Sequence, residues 1–133
     1  MSTARVSPQQ WADPRHQTGW DGEIAAGRWL VRHGWQIEAH RWRLGRHDLD
    51  LVARQGSLVA FIEVKTRRSG RFGAGEEAVG SYKRRVLERV AWSWILKHGD
   101  AGDQYRFDVV ILEGTRNGWR LRHVADAWRP GWR

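Results

Sequence analysis

No cysteine occurs among the 133 residues, which excludes disulfides and thiolate metal ligation. The N-terminus lacks an apolar signal core, and no apolar run approaches membrane-spanning length. The histidines show no paired metal-ligand spacing. The Gly-rich basic segment from Arg68 to Gly75 lacks the spacing and terminal Lys of a P-loop, which discounts nucleotide binding. No internal repeat or linker interrupts residues 18–125. What these absences leave is one cytoplasmic domain, with no membrane as partner.

The composition is 41% hydrophobic and 29% charged, which suits a globular core. The formal net charge is +8, carried mostly by Arg. Guanidinium groups match phosphate oxygens bidentately, so this balance favours a polyanion such as nucleic acid. Residues 1–17 are polar, contain Pro8 and Pro14, and read as a flexible leader. A domain is expected over 18–126, followed by a Trp/Arg-rich tail over 127–133.

Thr18-Gly19-Trp20-Asp21 predicts a capped helix start, and Gly34 a stop after His33. Glu23 falls in the first turn, where a carboxylate interacts favourably with the helix dipole. Strands are expected over 35–40, 48–53 and 58–67, then a helix over 79–98, then strands over 105–112 and 119–124. The turn between the last two is placed at Asn117-Gly118. In the second helix, Val79, Tyr82, Val86, Val90 and Trp94 form the apolar stripe, and Lys83, Arg84, Arg85, Glu88 and Arg89 lie mostly off it. Asp108 reads as structural. This order implies a mixed sheet covered by helices.

The chemistry concentrates in two strands. Period two puts Asp48 and Asp50 on one face, and likewise Glu63 and Lys65. With Gln55 and Gly56 at a hairpin tip, Asp48 lies opposite Glu63, and Asp50 sits opposite Phe61, diagonal to Glu63. Three carboxylates and one ammonium then share a patch about the size of a hydrated metal ion. The spacing alone fits an ordinary solvated strand face equally well. The concentration of acids favours a site, because packed carboxylates repel unless a cation, a proton or the nearby Lys relieves them.

Gly22-Glu23-x-x-Ala26, the Trp29-Leu30…Gly34-Trp35 helix end, Asp50-Leu51-Val52-Ala53 and Glu63-Val64-Lys65-Thr66-Arg67 resemble the YraN family. Phe72-Gly73, Ala78-Val79, Lys83 and Arg106-Phe107-Asp108-Val109-Val110 extend the resemblance over nearly all the chain after Gly19. It implies a restriction-endonuclease-like fold of the PD-(D/E)xK superfamily, a three-layer α/β/α sandwich with a central mixed sheet. It also implies Asp50, Glu63 and Lys65 as the catalytic trio, with Glu23 as an acid from the first helix. Lys83 matches a family Lys. Where the family reads Gly-Glu-Ile-Asp-Leu, this chain has His47-Asp48-Leu49-Asp50-Leu51, which alters the pocket beside Asp50. His47 and Asp48 are accessory candidates, with an exposed strand-end role the alternative for His47.

The expected activity is metal-dependent hydrolysis of DNA phosphodiester bonds, on branched or single-stranded DNA. Asp50, Glu63 and the Val64 backbone carbonyl would hold Mg²⁺ or Mn²⁺. Lys65 would orient water or stabilise charge, and Glu23 would hold a water of the metal shell. Arg67, Arg68, Arg71 and Lys83 would grip the DNA backbone. Two alternatives remain open. One is a catalytically silent nucleic-acid-binding module. The other is a protein-interaction role, including a homodimer, using a surface rich in the ten Trp residues.

Overall fold

The computed structural model describes residues 17–67, 79–115 and 118–132, with the side chains of 17–20 and 115 outside that description. The 1–16 part of the expected leader, Arg68, Arg71 and Asn117 therefore fall outside the described residues. Helix α1 covers Gln17–Arg32 and α2 covers Ser81–His98. The strands are β1 (Gln36–Leu44), β2 (His47–Gln55), β3 (Leu58–Arg67), β4 (Gln104–Thr115) and β5 (Gly118–Trp128). They form one sheet in the order β1-β2-β3-β4-β5, with β3 and β4 parallel and every other pair antiparallel. The single parallel pair is the one whose connection contains α2, since parallel neighbours need a long crossover.

Alternation along the strands feeds two cores. Val59, Phe61, Phe107, Val109 and Ile111 point to the α2 face, where Val86, Leu87, Val90 and Trp94 meet them. Ala60, Ile62, Val110 and Leu112 point to the other face and meet Ala26 and Leu30 of α1. This is the three-layer α/β/α architecture, with a mixed sheet flanked by one helix on each side. Gly22 makes the α1 approach possible: a Cβ there would lie 2.7 Å from Thr66 Oγ1.

Several local expectations change. Strand β1 runs on to Leu44, past the expected end at His40, and β5 runs on to Trp128. Trp128 is buried against the α2-side core and donates Nε1–H to Glu88 at 3.0 Å. Tyr82 is 67% exposed and leaves the apolar stripe, which is carried instead by Val86, Leu87, Val90, Ala91 and Trp94. The hairpin between β2 and β3 turns at Gly56-Ser57, pairing Gln55 with Leu58 and Ala53 with Ala60. Gly56 supplies the positive φ of +64° that this two-residue turn requires. This is a two-residue shift from the register expected from sequence.

Asp108 lies fully buried on the α1 face of β4. Its carboxylate accepts two bonds from Arg106 (2.8 and 2.9 Å), one from Asp126 N–H (2.9 Å), and contacts His123 Nε2 at 2.7 Å. The cluster ties β5 to β4 across the irregular pairing between Phe107 and Val109. Replacing Asp108 by Ala leaves Arg106 and the Asp126 N–H facing a void. The expected loss is about 3 kcal/mol of stability, measured as a lower urea midpoint; an unchanged midpoint would show that the cluster holds nothing together.

Candidate functional site

The corrected register determines the site. Continuing the pairing past Leu51–Ile62 puts Asp50, not Asp48, across from Glu63. The ladder stops there, and Val64 N–H donates to Asp50 Oδ2 at 2.8 Å. A side-chain oxygen thus takes the place of a backbone carbonyl in the gap between β2 and β3. An extended residue directs its N–H and C=O towards the same neighbouring strand, so the Val64 carbonyl opens on this gap as well.

The alternation in β2 breaks at the same rung. Leu49 packs into the α2-side core and Leu51 into the α1-side core, although they are two residues apart. On β1, Ala39 and Trp42 both pack towards α2, although they are three apart. Between them Arg41, flanked by the His40–Leu51 and Trp42–Leu49 pairs, adopts φ +58°. Both strands therefore pivot where Arg41 faces Asp50. The pivot overturns the expectation that Asp48 and Asp50 share a face. Asp48 instead accepts a 2.9 Å bond from Arg43 Nε and stays partly exposed, outside the acidic cluster. His47 pairs with Leu44 at the far end of the hairpin.

Glu63 is 6% exposed. Its Oε2 lies 3.4 Å from Lys65 Nζ and 3.6 Å from Lys83 Nζ, so α2 delivers a second ammonium to the same carboxylate. Among the described residues its buried Oε1 receives no donor. Burial, followed by the charges of Glu63 and Glu23, pushes the Asp50 carboxyl up to about 8, against the opposing bond from Val64 N–H. Each carboxyl thus opposes the ionisation of the other. Lys65 and Arg67 follow Glu63 along one face of β3.

Glu23 occupies a different place from the one its sequence position suggests. The helix begins at Gln17, so Glu23 lies beyond the first turn, and it is buried. Oε1 contacts His40 Nε2 at 2.6 Å and accepts from Arg41 Nε at 2.9 Å; Oε2 accepts from Arg41 Nη2 at 3.1 Å. Burial opposes its ionisation, but the bonds from His40 and Arg41 prevail and hold its carboxyl below the usual range. Both of its oxygens are engaged, and its charge bears on Asp50. His40 and Arg41 are neighbours of the site that motif reading missed. The signal available was their position across the hairpin from Asp50.

Among the described residues no three His, Cys, Asp or Glu side chains form a group disposed to hold a metal ion. The Asp50–Glu63 pair nevertheless fits a cation, having an undonated buried oxygen and a carboxyl that burial and like charge keep from ionising. Two carboxylates and a carbonyl suit an ion that keeps water or substrate oxygens in its remaining positions.

The family model described as uncharacterised protein family UPF0102 matches residues 22–112. The chain belongs to the UPF0102 family. That is the YraN family, which its motifs resemble. This UPF0102 chain is 37% identical over 123 residues to a UPF0102 protein of Anaeromyxobacter dehalogenans, covering 90% of this chain and 92% of that one. It is 43% identical over 104 residues to one of Beutenbergia cavernae, covering 77% and 88%. The matched region holds Glu23, Asp50, Glu63, Lys65 and Lys83.

Because the folded Asp50 carboxyl is raised above its ordinary value of 3.8, the native state binds the extra proton and loses stability as pH rises. Asp50→Asn, which mimics the protonated form, is expected to melt like the native protein at pH 4 and progressively higher than it up to about pH 8. Thermal melts across that range check this; a difference independent of pH would mean that Asp50 ionises freely.

Proposed function

We propose that this protein is a divalent-metal-dependent endonuclease that hydrolyses DNA phosphodiester bonds, on branched or single-stranded DNA. The observation that carries the reading is the Asp50–Glu63 pair, one carboxyl half-buried and the other buried. Two carboxyls are forced together, with one oxygen left undonated among the described residues, beside two ammonium groups. A fold needs no such arrangement for stability, since unrelieved carboxylates oppose folding.

Asp50, Glu63 and the Val64 carbonyl would hold Mg²⁺ or Mn²⁺, hard cations suited to oxygen ligands. Such an ion, when bound, polarises the scissile phosphate and lowers the pKa of a coordinated water. The rest falls to the chain itself. Lys65 presents its ammonium to the phosphate, orienting the attacking water or offsetting the charge that develops on the phosphate oxygens. Lys83 and Arg67 bind neighbouring phosphates, giving affinity that falls with salt and little sequence preference. Glu23, kept ionised by His40 and Arg41, adds its carboxylate charge to those that Asp50 feels.

Calorimetry is expected to show Mn²⁺ or Mg²⁺ binding that is lost in Asp50→Asn and in Glu63→Gln. With metal present, Asp50→Ala and Lys65→Ala should each cut DNA at least about a hundredfold more slowly while retaining DNA affinity. Cutting preserved in either Ala variant overturns the proposal. Absent metal binding, even with DNA present, would point to a catalytically silent nucleic-acid-binding module.

A further inference from the structure

Helix α2 has two chemically distinct sides. Its sheet side carries the core residues and sends Lys83 to Glu63. Its outer side carries Tyr82, Arg85, Arg89, Trp92 and Leu96, spaced by three or four residues and therefore aligned. All five are exposed, Tyr82 to 67% and Trp92 to 44%. From Tyr82 to Trp92 the row spans about 15 Å.

An open groove of about 600 Å³ lies along this row, bounded by Leu44, Arg85, Arg89, Trp92, Leu96 and Trp132. Trp92 and Trp132 meet at 5.3 Å between ring centroids, tilted by 53°. Glu88, which also borders the groove, accepts from Trp128 Nε1 and from Gly131 N–H, so its oxygens are tied to the C-terminal turn. Among the described residues no carboxylate pairs with Arg85 or Arg89.

We infer that this outer face of α2 is a track for an unpaired DNA strand leaving the candidate site, with Tyr82 and Trp92 as stacking platforms and Arg85 and Arg89 as phosphate contacts. The inference rests on the reading above that the substrate is DNA, and it specifies the strand form. Three observations favour this occupant. The row begins beside Lys83, so it continues the candidate site along the same helix. Its two rings flank two guanidinium groups, the combination that binds single strands, because every base offers a π face and every link a phosphate. Its charge also matches: two Arg side chains that no carboxylate among the described residues pairs, on a chain of net charge +8, attract a polyanion and repel a second copy of the same face.

The test measures anisotropy of labelled oligothymidylate and of a duplex of equal length, in EDTA so that no cutting intervenes. Trp92→Leu keeps the apolar contact but removes the π face. It is expected to weaken single-strand binding about tenfold and to leave duplex binding within about twofold. Trp92→Phe, which keeps a ring, should stay within about threefold of the native protein. Replacing both Arg85 and Arg89 by Ala should lower the log–log salt slope of single-strand binding by about 1.4. Unchanged single-strand affinity in Trp92→Leu overturns the inference. So does an equal loss on duplex, or a Trp92→Leu effect confined to self-association or to an acidic peptide. Hydrolysis is scored separately, with metal. Selective loss in Trp92→Leu without any cutting by the native protein supports the track and removes the nuclease. Cutting by the native protein with unchanged Trp92→Leu binding does the reverse.

Discussion

The hydrogen bond from Val64 N–H to Asp50 Oδ2 is the interaction on which the candidate site depends. A backbone donor at the end of a ladder must find an acceptor. Here the acceptor is a carboxylate rather than the next carbonyl of β2. That exchange ends the β2–β3 ladder, draws Asp50 against Glu63, and leaves backbone and side-chain oxygens around one gap. The positive φ of Arg41 belongs to the same event, because β1 must turn at the rung where β2 changes faces. A non-glycine residue in that conformation carries a cost of order 1 kcal/mol. Its guanidinium is held by Glu23 through two bonds, which offsets it.

The sheet thereby gathers charge from both of its faces at one end. The α1 face contributes Glu23 with its His40 and Arg41 partners, a unit whose carboxylate is satisfied. The α2 face contributes Glu63, Lys65 and Lys83, a unit whose carboxylate is not. Asp50 lies between them and feels both negative charges. This contrast separates the satisfied acid from the unsatisfied one more clearly than burial does. Asp108 is more deeply buried than Glu63, yet four donors surround it and hold its carboxyl low despite burial. Glu63 has two ammonium groups near one oxygen and, among the described residues, nothing donating to the other.

The tryptophans divide along the same lines. Trp35, Trp94 and Trp128 are buried and hold the layers together, whereas Trp92 and Trp119 remain exposed. An aromatic-rich chain of this size therefore does not spend all its rings on the core. Trp92, on the outer side of α2, borders the same groove as Arg85 and Arg89, and the buried rings pack among aliphatic side chains. The helix that crosses from β3 to β4 serves the core, the candidate site and an exposed surface at once.

Much of this was legible in the sequence. The two helices, the five strands and the mixed three-layer sheet follow from apolar period and from the glycines at Gly34 and Gly56, because local pattern and backbone freedom are properties of the chain itself. The motif residues Asp50, Glu63 and Lys65 were legible for the same reason, since their spacing survives folding. The partners were not. A one-residue displacement of the turn, which shifts the register by two, exchanged Asp48 for Asp50 opposite Glu63, and a pivot at Arg41 ended the alternation that had grouped the two aspartates. The destination of Glu23 was equally hidden, because His40 and Arg41 reach it only once α1 is laid across the sheet. Which acids carry charge and which side of each strand faces α1 depend on burial and on neighbours distant in sequence. The chain alone determined the elements and the chemistry available, and tertiary packing decided which carboxylates meet and which are satisfied.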